Sequence, residues 1–142
     1  MRARSVILAL APAVILAGCG LVASAGVEGP LAVERTNLGM EALSHGTLAI
    51  EGRCTWIVAD EDRWLLVWPA DAARWDALAG AVVFRDRDGR EHHLRDGDEV
   101  ALGGGAISKA DGEPFGQIDW VVPPAPGCET GTRWHVSGVV MP

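Results

Sequence analysis

The amino-acid sequence predicts a mainly-β fold, a small closed or partly open barrel with one short helix, and a β-sandwich is the alternative arrangement. Three observations lead there. Apolar residues alternate over short runs instead of recurring every three or four positions. Turn-forming residues punctuate those runs, with 18 Gly and 8 Pro among 142 residues. Only one stretch carries helical spacing.

Gly20 to about Glu34 is rich in Gly, Ala, Ser and Val without sustained periodicity and reads as a tether. Thr36 to Ser44 suits a helical turn or irregular chain equally. From Gly46 the pattern turns to strand: Leu48 and Ile50 share a face, and Gly52 marks a bend. Cys54, Trp56 and Val58 then alternate with Thr55, Ile57 and Ala59. Asp60-Glu61-Asp62 makes a polar turn. In the next strand Trp64, Leu66 and Trp68 face one way and Leu65 and Val67 the other, so both faces are apolar and something must cover the outer one. Pro69 ends it.

Asp71 is a candidate N-cap for a helix through Leu78, with Ala72, Trp75 and Leu78 at three-residue intervals, and this helix is a candidate for that cover. Ala81–Arg85, Glu91–Arg95 and Glu99–Leu102 are separated by the turn signals Asp88-Gly89 and Asp96-Gly97-Asp98, which predicts a three-stranded meander. Gly103-Gly104-Gly105 suits a bulge or turn. Residues 106–127 are loop-rich around the short apolar piece Ile118 to Val122, and function in small β-domains often sits on such loops. Trp134 to Met141 closes the chain as a strand with Trp134, Val136 and Val140 on one face. About six or seven short strands with one helix suggest an OB-like barrel.

The N-terminal stretch carries a second kind of information. Arg2 and Arg4 form a short basic region, and Val6 to Ala17 is an apolar run broken only by Pro12, too short to span a bilayer but of secretory length. Leu16-Ala17-Gly18-Cys19 follows, and it resembles the lipobox of bacterial lipoproteins. The resemblance implies transfer of diacylglycerol to the Cys19 thiol, cleavage after Gly18, and attachment to membrane lipid on the extracytoplasmic face of the cell membrane. An ordinary signal peptide is the competing reading. On this view residues 1–18 are a signal peptide, 19–40 a lipid-anchored flexible tether and 41–142 a single barrel domain.

With Cys19 occupied by lipid, Cys54 and Cys128 remain, and an even pair in an exported chain reads as a disulfide. The full chain carries a formal charge of −7 from 12 basic and 19 acidic residues. Loss of Arg2 and Arg4 leaves ten basic against 19 acidic residues, a formal −9. Such a surface repels phosphate backbones, which excludes nucleic acid as a natural partner and favours neutral or cationic ones.

No catalytic spacing is present. His92 and His93 are adjacent on a strand and point to opposite faces, while His45 and His135 lie far away, so no metal site is expected. Asp86, Asp88, Asp96, Asp98 and Glu99 gather at two turns, but without the ordered ligand series of a calcium loop. Tight-turn geometry explains them better. Ser44, Ser108 and Ser137 lie in no nucleophile elbow, and the triple glycine is no phosphate loop. No cofactor is implied and an enzyme is disfavoured, although an envelope enzyme whose site is assembled from distant residues stays open. Six tryptophans remain, Trp56, Trp64, Trp68, Trp75, Trp120 and Trp134. Of these Trp75 and Trp120 are the candidates for exposure and ligand contact, which makes cell-wall glycan a second candidate ligand. The leading expectation is a non-catalytic binding or assembly module at the bacterial cell envelope, whose partner is an envelope protein.

Overall fold

Alternating runs that bury one face and hydrogen-bond along both edges are satisfied when a sheet closes on itself, and the computed structural model shows such a ring. It describes residues 29–35, 41–108, 118–128 and 131–140. Within these, the strands are β1 (Ala32–Glu34), β2 (Ala42–Glu51), β3 (Cys54–Ala59), β4 (Asp62–Pro69), β5 (Ala73–Asp76), β6 (Ala81–Arg85), β7 (Glu91–Arg95), β8 (Glu99–Ser108), β9 (Trp120–Val122) and β10 (Thr132–Val140).

Antiparallel pairs join β2 to β3 and β3 to β4, β4 pairs in parallel with β10, and β10 and β2 both pair antiparallel with β8. The ring β2-β3-β4-β10-β8 is therefore closed, with the strand connections of an OB-like barrel. β1 lies parallel beside β4 and carries β9 on its other edge. Leu48, Ile57, Leu66, Trp68, Val100, Leu102, Trp134 and Val136 form the buried interior. Each large apolar side chain taken out of water contributes about 1.5–3 kcal/mol. Trp64 stacks on Trp134 at 5.4 Å with 11° between ring planes. The indole of the fully buried Trp68 donates from Nε1 to Thr55 Oγ1 at 2.9 Å, so its one polar atom is satisfied inside the barrel.

The helix expected from Asp71 to Leu78 does not form. Ala73–Asp76 is strand β5, and Ala72 and Trp75 pack against the interior cluster while Leu78 is fully exposed, so the three residues do not share one buried face. Asp76 Oδ1 accepts from the backbone N–H groups of Leu78 and Ala79, both at 3.0 Å, and this local turn competes with helix. A helix that short lacks the cooperative length to resist. The predicted meander is shifted by one strand: β5, β6 and β7 form the three-stranded sheet, whereas β8 belongs to the barrel. This small sheet caps the barrel, for Ala73, Val82, Phe84 and Leu94 join the interior cluster and Phe84 lies 6.3 Å from Trp68.

Four further expectations are corrected in whole or in part. The tether assigned to residues 19–40 is structured at residues 31–34, where Leu31, Ala32, Val33 and Glu34 are all buried. Gly29 fixes the entry, because at φ 143° a Cβ would run into the Trp75 ring. Of Thr36 to Ser44, residues 42–44 are strand and 36–40 lie outside the described residues. Of the two readings of the triple glycine, the turn is wrong, since it lies in the middle of β8, but a bulge does fall opposite it, between the β10 partners of Gly103 and Gly104, and β10 approaches so closely that a Cβ at Gly104 would meet the His135 carbonyl. A register shift in β10 between Val136 and Gly138 breaks the alternation, so Val139 packs inward and Val140 is exposed.

Candidate functional site

In OB-like barrels the face of the second and third ring strands, with the adjoining loops, is where polymeric ligands bind. Here those strands are β3 and β4, and their outer face is covered by the chain itself. Cys54 and Cys128 form the expected disulfide, with S–S 2.06 Å and Cα atoms 5.5 Å apart. It pins the end of the 118–128 segment over β3, where Trp56, Leu65 and Cys128 make a second buried cluster flanked by Ala49, Cys54 and Ala125. Arg63 lies over the Trp56 ring at 4.2 Å and pairs with Glu51 at 2.6 Å, closing the edge. The cover over Leu65 on the outer face of the two-faced strand β4 is thus this disulfide-held segment, and not a helix.

Polar side chains meet where β1, β9 and β10 adjoin β4. Trp120 of β9 is half-buried and stands opposite Glu34 in the β1 register, with the Arg133 guanidinium 5.4 Å from its ring. Glu34 and His135 are each 2% exposed and joined by a 2.9 Å contact between Oε1 and Nδ1. They lie 101 residues apart and meet because both β1 and β10 pair with β4. No sequence spacing could have announced this pair. His135 Nε2 finds no partner among the described residues.

Neither tryptophan singled out for ligand contact is freely exposed. Trp75 packs against the interior cluster under Gly29, and Trp120 is half-buried. The other four belong to the packed clusters. Cys19 lies outside the described residues. Four of the five acidic residues at the turns are engaged: Asp86 Oδ1 accepts from the N–H groups of Asp88 and Arg90, and its Oδ2 meets His92 Nε2 at 2.9 Å. Asp96 accepts from Ile50 N–H, Asp98 from Arg95 N–H, and Glu99 from Thr47 Oγ1. His92 is buried and His93 exposed, on opposite faces of β7 as alternation requires.

The hydrogen bond from His92 holds the Asp86 carboxyl below its ordinary range, with help from the Arg90 N–H. A hydrogen bond from Arg85 does the same for Glu91, and the Ala79 N–H for Asp76. All three groups belong to the cap.

Among the described residues a groove of about 770 Å³ opens between the barrel and its cap. One wall is built from the start of β2 (Glu41, Ala42, Leu43), Gly103 of β8 and the end of β10 (Ser137 to Val140). The other comes from Asp71 and Ala72 before β5 and from Phe84 to Asp88 at the end of β6. Leu43 is 50% and Val140 52% exposed. A smaller hollow of about 200 Å³ adjoins it through Asp71, Ala72 and Arg85.

No family model, curated protein or solved structure matches the chain. Function therefore has to be argued from the side chains present. Sequence reasoning passed over the groove, because its residues come from the ends of strands that are distant in the chain. Locally, Asp86 and Asp88 read as turn residues and Val140 as inward-facing, and the β10 bulge turns Val140 outward against that alternation.

Proposed function

We propose that the protein is a lipid-anchored lipoprotein on the extracytoplasmic face of the bacterial cell membrane, acting as a non-catalytic binding or assembly module. The observation that carries this reading is the Cys54–Cys128 disulfide. It suits an oxidising compartment, and it leaves Cys19, the third cysteine of the sequence, alone at the end of Leu16-Ala17-Gly18. Two or three acyl chains, at about 0.8 kcal/mol per buried methylene, hold such a domain at a membrane surface without a spanning segment. Among the described residues no helix is long and apolar enough to cross a membrane.

The binding half of the reading draws on the closed β3–β4 face and the open groove. A barrel whose usual ligand face is stapled shut offers partners its other concave surface. Its −7 charge disfavours nucleic acid. The buried Glu34–His135 pair does not line the groove.

Metabolic labelling with an alkyne-bearing palmitate in a bacterial host tests the anchor. The full chain should take up label and sediment with membranes, and Cys19→Ala should do neither. An unlabelled full chain in the soluble fraction would overturn the reading.

A further inference from the structure

We propose that the groove between barrel and cap docks an extended segment of a partner protein in which apolar side chains alternate with Lys or Arg. This rests on the reading of the chain as a binding module and adds the chemistry of what it binds.

Two of the four exposed large hydrophobic side chains among the described residues, Leu43 and Val140, line this one groove, which is more than scattered surface apolarity. The strip beside Leu43 is bare backbone. Leu43 stands in register with Gly103, and Gly103 with Gly138, while a Cβ added at Gly138 would meet nothing within 4 Å. An extended chain can lie against such a strip and direct alternate side chains to either wall.

Charge selects the segment. Arg85 is already held by Glu91 at 2.9 Å, and Asp86 is committed to its turn and to His92. Glu41, Asp71 and Asp88 remain at the rim against Arg87, and none of these four forms an ion pair among the described residues. The rim is therefore net acidic within a chain of −7, and it attracts ammonium or guanidinium groups while repelling polyanions. Glycan is a poorer fit, since no tryptophan lines the groove and Phe84 is almost fully buried.

The test is a titration of the ¹⁵N-labelled full chain with a short synthetic peptide alternating Arg with Val or Leu, followed by amide shifts and fluorescence anisotropy. Saturable binding that moves the amides of Leu43, Gly103, Gly138 and Val140 is expected. Asp71→Lys with Asp88→Lys should weaken it at least ten-fold, and so should Gly138→Val, which places bulk in the open space over the strip. Glu61→Lys with Asp62→Lys changes net charge equally at a distant turn and should leave affinity within two-fold. Tryptophan emission checks that each variant is folded.

The proposal is overturned if the peptide does not saturate, if the distant pair weakens binding as much as the groove pair, or if a Glu-for-Arg peptide binds as tightly. It is also overturned if soluble peptidoglycan fragments, and not the peptide, move the groove amides. Failure of peptide binding while Cys19-dependent labelling persists removes the groove assignment and leaves the anchor standing. Loss of labelling while the peptide still binds does the reverse.

Discussion

Glu34 and His135 show what a buried polar contact demands of its neighbours. A carboxylate at 2% exposure loses several kcal/mol of hydration, and its contact to His135 Nδ1 is the compensation. Removing one partner strands the other. Glu34→Leu should therefore destabilise the fold by about 2–4 kcal/mol in urea denaturation, whereas adding His135→Leu should cost less than the sum of the single changes by about 1 kcal/mol or more. Strict additivity would show that the two side chains are not coupled. The turn carboxylates illustrate the opposite economy. Asp86, Asp96 and Asp98 each hold a backbone N–H group, which is why a dense acidic sequence yields local clamps.

At the scale of elements, the cap sheet β5–β6–β7 is where titration and structure meet. Asp76, Asp86 and Glu91 all have carboxyl pKa values lowered from ordinary values of 3.8, 3.8 and 4.5. A group whose pKa is lower folded than unfolded contributes stability above the unfolded value and loses it as pH falls through the folded one. Cap stability should thus hold from neutrality down to about pH 4.5 and decline below about pH 3.8. Thermal unfolding followed by tryptophan emission from pH 7 to pH 3 measures this. Asp86→Asn should melt lower at pH 7 and lose less on acidification than the parent, and an unchanged acid profile would refute the Asp86–His92 contribution. The cap also marks where element prediction failed. Short apolar spacing at Ala72, Trp75 and Leu78 satisfies a helix template, but β6 offers a hydrogen-bonding edge that only the folded chain reveals.

The whole molecule is held by one interior cluster that runs from barrel into cap, with a staple across the outside. Barrel and cap should therefore unfold together. The disulfide closes a sequence separation of 74 residues, for which restriction of the unfolded chain is worth roughly 4–5 kcal/mol in the entropic account, with measured losses of about 2–5 kcal/mol. Cys54→Ser with Cys128→Ser should lower stability by that order while circular dichroism and tryptophan emission still report one coincident transition. Released from its pin, the 125–128 segment should also admit quencher to Trp56. Two separated transitions in the parent protein would break the single-core description.

Sequence alone determined the strand-rich class, the two-faced character of Trp64 to Trp68, the Cys54–Cys128 pair and the acidic surface. Each of these depends on residue type and on spacing within one element, where period and side-chain chemistry are enough. Tertiary structure decided that a three-stranded sheet caps the barrel, that the 118–128 segment closes the β3–β4 face, and that residues from β2, β8, β10 and the cap frame one groove. These follow from which edges pair and which faces meet across long separations, as with Glu34 and His135, and no local pattern encodes such a meeting.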